Sequence, residues 1–100
     1  MGAGAAITQV KARRKELANW LDEAIFVAEE ATIHFRRNTG DIRMERKAQD
    51  AAAQAKVKRD EILAQFDARQ ATNADEMHDW GMAKRVEVIA IIGAVVRAAA

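Results

Sequence analysis

Apolar residues recur along the first third of the chain with the spacing of one helix face. From Val10 to Phe35 the steps alternate between four and three residues, which is the period of an amphipathic α-helix. This stripe consists of Val10, Arg14, Leu17, Leu21, Ala24, Ala28, Ala31 and Phe35, so Arg14 is its one polar member. We expect a first helix from an N-cap at Thr8 to about Arg37, preceded by a frayed terminus over residues 1–7.

A polar turn over residues 38–41 separates this helix from a second one. Gly40 can adopt the positive φ of a helix C-cap, and Thr39 or Asp41 can cap the helix that follows. We expect the second helix to run over about residues 42–71. Its stripe consists of Met44, Ala48, Ala51, Ala55, Lys58, Ile62, Leu63 and Phe66.

Folding the two helices about this turn brings alanine opposite alanine. In antiparallel pairing the numbers of facing residues add up to about 79, and larger residues meet at both ends. The central pairs are Ala31–Ala48, Ala28–Ala51 and Ala24–Ala55, and the outer pairs are Phe35–Met44 and Leu17–Ile62. Because small side chains let helices approach more closely than usual, the pattern predicts a long hairpin with an alanine-rich seam.

A third helix is expected over residues 74–98, where Asn73 followed by Glu76 resembles a capping box. Gly81 can kink or split it. Residues 86–92 are rich in β-branched side chains, as strands are, but a single strand would have nothing to pair with. Because this helix is apolar nearly all round, we expect it to be buried across the hairpin, in a dimer interface, or both. Its apolar positions are Met77, Trp80, Met82, Val86, Ile89, Ile92, Val95 and Val96.

Composition favours the same all-α fold, a helical hairpin with a third C-terminal helix packed on it. Of the 100 residues 23 are alanine, none is proline, and strong helix formers dominate. A chain of this length is expected to be one domain, residues 1–100. Without cysteine it has no disulfide and no thiol nucleophile. No apolar run approaches the ~20 residues needed to span a bilayer, so we expect a soluble cytoplasmic protein with no membrane partner.

No motif for catalysis is present, so we predict that the protein is not an enzyme and needs no cofactor. Asp75, His78 and Asp79 share one helix face, and Glu30 and His34 are one turn apart. The paired Glu-x-x-His motifs of di-iron bundles are missing, so we predict no metal site. Trp20 and Trp80 are interpreted as core residues, with an interface role as the alternative.

Basic residues bracket the hairpin turn and form the first candidate binding surface. They are Arg36, Arg37, Arg43, Arg46 and Lys47. A second basic group consists of Lys11, Arg13, Arg14 and Lys15. Such clusters can hold phosphates. The alternative is an ordinary solvated surface, and the net charge of only +1 argues against a dedicated duplex binder.

Acidic residues form the second candidate surface and lie mostly in the C-terminal part. Residues 1–59 have a net charge of +4 and residues 60–100 a net charge of −3. The candidate residues are Asp60, Glu61, Asp67, Asp75, Glu76 and Asp79. A carboxylate surface can mimic a nucleic-acid backbone in the basic groove of another protein. The alternative is solubility and helix-dipole matching, since acids favour a first helical turn.

In size, composition and lack of motif the whole chain is similar to small phage-encoded inhibitors, including the anti-CRISPR class. The resemblance implies binding to a CRISPR effector complex and blocking its access to target DNA, with the acidic residues as the contact surface. We therefore predict a non-enzymatic helical protein that binds and blocks a protein or nucleoprotein partner. The alternative is a small nucleic-acid-associated or phage packaging protein that uses the basic hairpin tip. A homodimer with the third helix as its seam is compatible with both.

Overall fold

Three long helices form an up-down-up bundle in the computed structural model, which describes residues 3–100. Helix α1 spans Ala3–His34, α2 spans Ile42–Ala68 and α3 spans Ala74–Ala99, and each helix contacts the other two. A π-helical turn, Phe35–Thr39, extends the end of α1. The molecule is a rod with extents of 57 × 18 × 15 Å. The predicted all-α hairpin with a third helix packed on it is confirmed.

Ion pairs across α1 and α2 define the register of the hairpin. Arg14 pairs with Asp67 at 2.6 Å and Arg36 with Glu45 at 2.7 Å, and two further pairs lie between these ends. The further pairs are Asp22–Arg59 at 3.2 Å and Glu29–Lys56 at 3.7 Å. The residue numbers add up to 81 in three of these pairs and to 85 in the fourth. The helices are therefore antiparallel, within about one turn of the register that the alanine pattern predicts.

The alanines of the predicted seam are all buried. Ala28, Ala48 and Ala55 have no exposed surface at all. The other members, Ala24, Ala31 and Ala51, are at most 8% exposed. The polar members of the two stripes, Arg14 and Lys58, lie at the edges of the seam, where they pair with Asp67 and Glu87. The hairpin thus has a thin, nearly all-alanine centre, with larger residues such as Leu21 and Ile62 buried toward its far end.

Helix α3 packs on the hairpin without interruption. It is continuous through Gly81, which is buried and leaves room for Leu17, 3.5 Å from where a Cβ would stand. The hairpin buries only one side of this helix, so within one chain the expected burial is met in part, and burial of the other side in a dimer interface stays a prediction. Met82, Val86 and Ile89 are 45%, 65% and 48% exposed, because a helix lying on a two-helix hairpin meets neighbours on one side only. The buried side consists of Met77, Gly81, Val88, Ile92 and Val95.

The start of α1 differs from the prediction. The helix begins at Ala3, so Thr8 lies inside it, and the Thr8 hydroxyl donates to the carbonyl oxygen of Gly4 at 2.9 Å. Residues 3–7, which we expected to be frayed, are helical. Met1 and Gly2 lie outside the described residues. A small-residue run of Ala and Gly can extend a helix whose later turns are anchored by packing.

The other helix ends agree better with the sequence. Gly40 has a φ of +64°, and the Asp41 carboxylate caps α2 by accepting from the Met44 amide at 3.0 Å. Asn73 caps α3 by accepting from the Glu76 amide at 3.1 Å. Helix α2 ends at Ala68, three residues earlier than predicted.

Candidate functional site

The hairpin tip, which we define as residues 34–47, has an ordered backbone. Phe35 is buried and anchors the end of α1 in the core. The Thr39 hydroxyl donates to the Phe35 carbonyl oxygen at 2.9 Å and accepts from the Asp41 amide at 3.1 Å. With Gly40 in the left-handed conformation, these bonds reverse the chain within a few residues. The side chains on both arms of the tip are therefore held near one another.

All five predicted basic residues lie exposed on this tip. Arg36 donates to Glu45 from its Nε at 2.7 Å, so its charge is compensated. Within residues 3–100, the other four make neither an ion pair nor a side-chain hydrogen bond. They are Arg37, Arg43, Arg46 and Lys47, whereas Arg36 is the tip cation that has an ion-pair partner. The tip holds five Lys and Arg against Asp41 and Glu45, which gives a local net charge of +3.

An excess of like charge in so small a volume favours an anionic partner. The Debye length is about 8 Å at physiological ionic strength, so cations on adjacent helical turns act on the same region of solvent. Arg37, Arg43 and Arg46 each present a planar set of N–H donors that matches phosphate oxygens. Because all these side chains are exposed, they form an open surface that suits an extended polyanion.

The predicted acidic residues do not form one carboxylate face. Four of the six are paired with cations of the same chain: Asp60 with Arg59 at 3.0 Å, Glu61 with Lys58 at 3.8 Å, Asp67 with Arg14 at 2.6 Å and Glu76 with Arg69 at 3.6 Å. Asp60 shares its arginine with Asp22 on α1, whereas Glu61 shares its lysine with Glu87 on α3. The two neighbours therefore lie toward opposite sides of α2. Within the part of the chain that the structure describes, Asp75 and Asp79 have no such partner.

One of these ion pairs should make the stability of the fold depend on pH. Arg14 donates to Asp67 through Nε at 2.6 Å and through Nη2 at 2.9 Å. This hydrogen bonding, reinforced by the charge of Arg14, lowers the pKa of Asp67 despite partial desolvation, which raises it. A carboxyl group with a lowered pKa stabilises the fold above the pKa of the unfolded chain, and this contribution is lost as the pH falls through the lowered value.

We expect Asp67→Asn to reduce the free energy of unfolding at neutral pH by up to about 1 kcal/mol, the range for exposed ion pairs. The difference from the unsubstituted protein should disappear below the lowered pKa of Asp67, where the carboxyl is protonated in both states. Urea unfolding of both proteins across the acid range measures this. Asp50→Asn is the control, because Asp50 is an exposed carboxylate in the middle of α2 with no ion-pair partner among residues 3–100. A difference that persists undiminished in acid would contradict the assignment.

His34 and His78 are the two imidazoles of the chain that could serve as metal ligands. Among residues 3–100, no group of three or more His, Cys, Asp or Glu side chains is arranged to hold a metal ion. His34 Nδ1 lies 3.1 Å from the Asn38 side-chain nitrogen, within the tip.

Over residues 3–100, no helix is both long and apolar enough to cross a bilayer.

Both tryptophans lie at the margin of the core and are partly buried. Trp80 packs edge to face on Phe66 with ring centroids 6.0 Å apart, and Arg69 and Lys84 approach its ring to 5.6 and 5.4 Å. The Trp20 ring lies under Arg85 at 5.3 Å. These contacts join α3 to both helices of the hairpin.

A shallow groove between α1 and α2 is a feature that the sequence did not lead us to expect. It encloses about 320 Å³ and is lined by Glu29, Thr32, Ile33, Gln49, Ala52, Ala53 and Lys56. Thr32 is buried, and its hydroxyl donates to the Ala28 carbonyl oxygen at 3.2 Å. The feature of the sequence that points to this groove is Ile33, an apolar residue outside the main apolar stripe of α1, which the structure leaves 41% exposed.

Comparison with known proteins identifies no relative. No protein-family model matches the chain, and neither a curated protein nor a solved structure resembles it at a significant level.

Proposed function

We propose that this protein is a non-enzymatic helical binding module that contacts the phosphate backbone of nucleic acid through the hairpin tip. The observation that supports this proposal is the contrast between the two charged surfaces. Four exposed cations of the tip have no acidic partner among residues 3–100, whereas four of the six candidate carboxylates are compensated within the chain. A surface whose charges are not satisfied internally attracts counterions in solution, and these are released when a polyanion binds.

The number of unpaired cations on the tip sets the affinity and the salt dependence that we expect. Each phosphate neutralised on duplex DNA contributes about −0.9 to the slope of log affinity against log salt, and about −0.7 on a single strand. Four cations therefore give a slope between about −3 and −4. Contact through phosphates alone carries no sequence information, and such binding has dissociation constants of about 10⁻⁴–10⁻⁶ M at physiological salt.

An alternative function, implied by the resemblance to phage-encoded inhibitors, is inhibition of a CRISPR effector through the acidic residues. It would rest on Asp75 and Asp79, since the other four candidate carboxylates already have cationic partners. A tip that binds nucleic acid is also compatible with a role in phage DNA packaging.

Fluorescence anisotropy of labelled duplex and single-stranded DNA, at low and physiological salt, tests the proposal. The informative variant is Arg43→Glu with Lys47→Glu, which reverses two unpaired cations of the tip. Its matched control is Lys11→Glu with Lys15→Glu at the other end of the rod. Both pairs are exposed, are four residues apart and lack an acidic partner within the described chain, and both variants change the net charge equally.

We expect the tip variant to reduce affinity at low salt by about tenfold or more and to lower the salt slope by about 2, one unit for each lost phosphate contact. The control should retain most of the affinity. If the unsubstituted protein does not bind either DNA, or if both variants lose affinity equally, the hairpin tip is not the binding surface.

A further inference from the structure

Helix α3 has an apolar stripe that the bundle leaves uncovered. Met82, Val86 and Ile89 follow one another at steps of four and three residues, so they share one face of the helix. They are 45%, 65% and 48% exposed, while Val88 and Ile92 on the opposite side are buried. A contiguous row of exposed large apolar side chains on a small protein marks a surface that another molecule covers.

Charged residues extend the same stripe at both ends. The spacing continues to Asp79 and Asp75 toward the start of α3, and to Gly93 and Arg97 toward its end. We call these seven positions the α3 stripe. Across the described chain, Asp75, Asp79 and Arg97 are exposed and have no ion-pair partner. One end of the stripe is therefore acidic, its centre is apolar and its other end is basic.

The basic end has a specific shape. A Cβ at Gly93 would lie 2.9 Å from Nη1 of Arg97, so the guanidinium occupies the space above Gly93 that a side chain would otherwise fill. The positive charge of Arg97 is thereby drawn back along the stripe by about one helical turn. An acidic group that faces position 93 would meet this guanidinium.

We propose that the α3 stripe binds the α3 stripe of a second copy of this chain in antiparallel orientation, with the two-fold axis at Val86. The residue numbers of facing positions then add up to about 172. Val86 faces its own equivalent and Met82 faces Ile89. Asp79 faces Gly93, over which Arg97 lies, and Asp75 faces Arg97. Apolar residues meet apolar residues, and each unpaired acid meets the unpaired base.

The charges select this orientation. In a parallel pair, Asp75 would face Asp75 and Arg97 would face Arg97, which places like charges together at both ends. Ala83 and Ala90 flank the apolar centre and are exposed, so small side chains border the contact and let the helices approach closely. An interface of one helix on each side is at the small end of the range for specific complexes, so we expect association in the micromolar range.

Sedimentation equilibrium across protein concentrations measures this association without DNA. The mass should rise with concentration from the monomer value of 11.0 kDa toward twice that value. Val86→Glu places two carboxylates on the axis and should raise the dissociation constant about tenfold or more. Val57→Glu is the matched control, because Val57 is 68% exposed on α2, outside the stripe, and this variant should associate like the unsubstituted protein. Far-ultraviolet circular dichroism checks that both variants are folded.

A charge exchange tests the orientation. Asp75→Lys combined with Asp79→Lys should weaken association, and so should Arg97→Glu alone, because each places like charges opposite one another. The three substitutions in one chain should restore association, because every ion pair is re-formed with its signs exchanged. A protein that stays monomeric at all concentrations would overturn the proposal. A dimer that is insensitive to Val86→Glu, or one that the exchange of all three charges does not rescue, would overturn the proposed stripe or its antiparallel register.

Discussion

Replacing Ile62 by alanine is expected to lower the free energy of unfolding by about 2–5 kcal/mol, the range for removing a large aliphatic side chain from a core. Ile62 has no exposed surface and lies on α2 beyond the alanine seam. Its loss would leave a cavity that the neighbouring helices can close only in part. Because the centre of the hairpin is built from alanine, the few large buried side chains contribute a large share of the apolar burial.

Val57→Ala on the same helix is the matched control. Val57 is also β-branched, but it is 68% exposed, so its truncation should change the free energy of unfolding by less than about 0.5 kcal/mol. Urea unfolding followed by circular dichroism measures both variants. For a domain of this size, each 1 kcal/mol also shifts the melting temperature by about 4–8 °C. Equal losses for the two variants would contradict the burial of Ile62.

The reverse change in the seam, Ala55→Leu, is expected to destabilise the protein by about 1–3 kcal/mol through overpacking. Ala55 is fully buried where α2 meets α1, and alanine also lines the facing side of the seam. A leucine there would need to separate the helices, and the ion pairs that cross the seam on either side would be stretched as well.

Ala64→Leu is the matched control for this second prediction. Ala64 lies on the same helix but is exposed, so the added side chain meets solvent and leaves helix propensity nearly unchanged. Thermal unfolding of the two variants separates the effect of overpacking in the seam from the effect of leucine on helix propensity. If Ala55→Leu were as stable as the control, the two helices would not pack closely through alanine.

The hairpin could be predicted from the sequence because its two determinants are local. Spacing by four and three residues identified the buried faces, and a polar turn with Gly40 identified the reversal. Matching small residues with small ones then predicted, to within about one helical turn, the register that the Arg14–Asp67 and Arg36–Glu45 pairs show. The same local chemistry predicted the cap at Asn73, and it named Asp41 as one of two candidates, with Thr39, for the cap of α2.

The exposed side of α3 could not be predicted in the same way. A run that is apolar on all sides does not indicate which side meets the hairpin, so the sequence did not distinguish Val88, which the hairpin buries, from Val86, which it leaves exposed. The exposure of each side chain of α3 depends on how many helices surround α3, which is a property of the whole bundle.

The two candidate binding surfaces also differ in whether local sequence determines them. The basic tip was predictable because its residues flank one turn and stay together in any hairpin. The acidic residues depended on contacts between distant parts of the chain. Asp67 is neutralised by Arg14, which lies 53 residues earlier, and no local pattern indicates that pairing.

The positions of the tryptophans determine what a spectroscopist would see during unfolding. The chain has no tyrosine, so Trp20 and Trp80 dominate its ultraviolet emission. Trp80 contacts Phe66 of α2, and Trp20 contacts Arg85 of α3, so both fluorophores report the docking of α3 on the hairpin. The alanine seam contains no fluorophore. Fluorescence therefore follows the release of α3 from the hairpin, whereas circular dichroism follows the unfolding of all three helices. A difference between the two unfolding curves would reveal an intermediate in which the hairpin stays folded after α3 has been released.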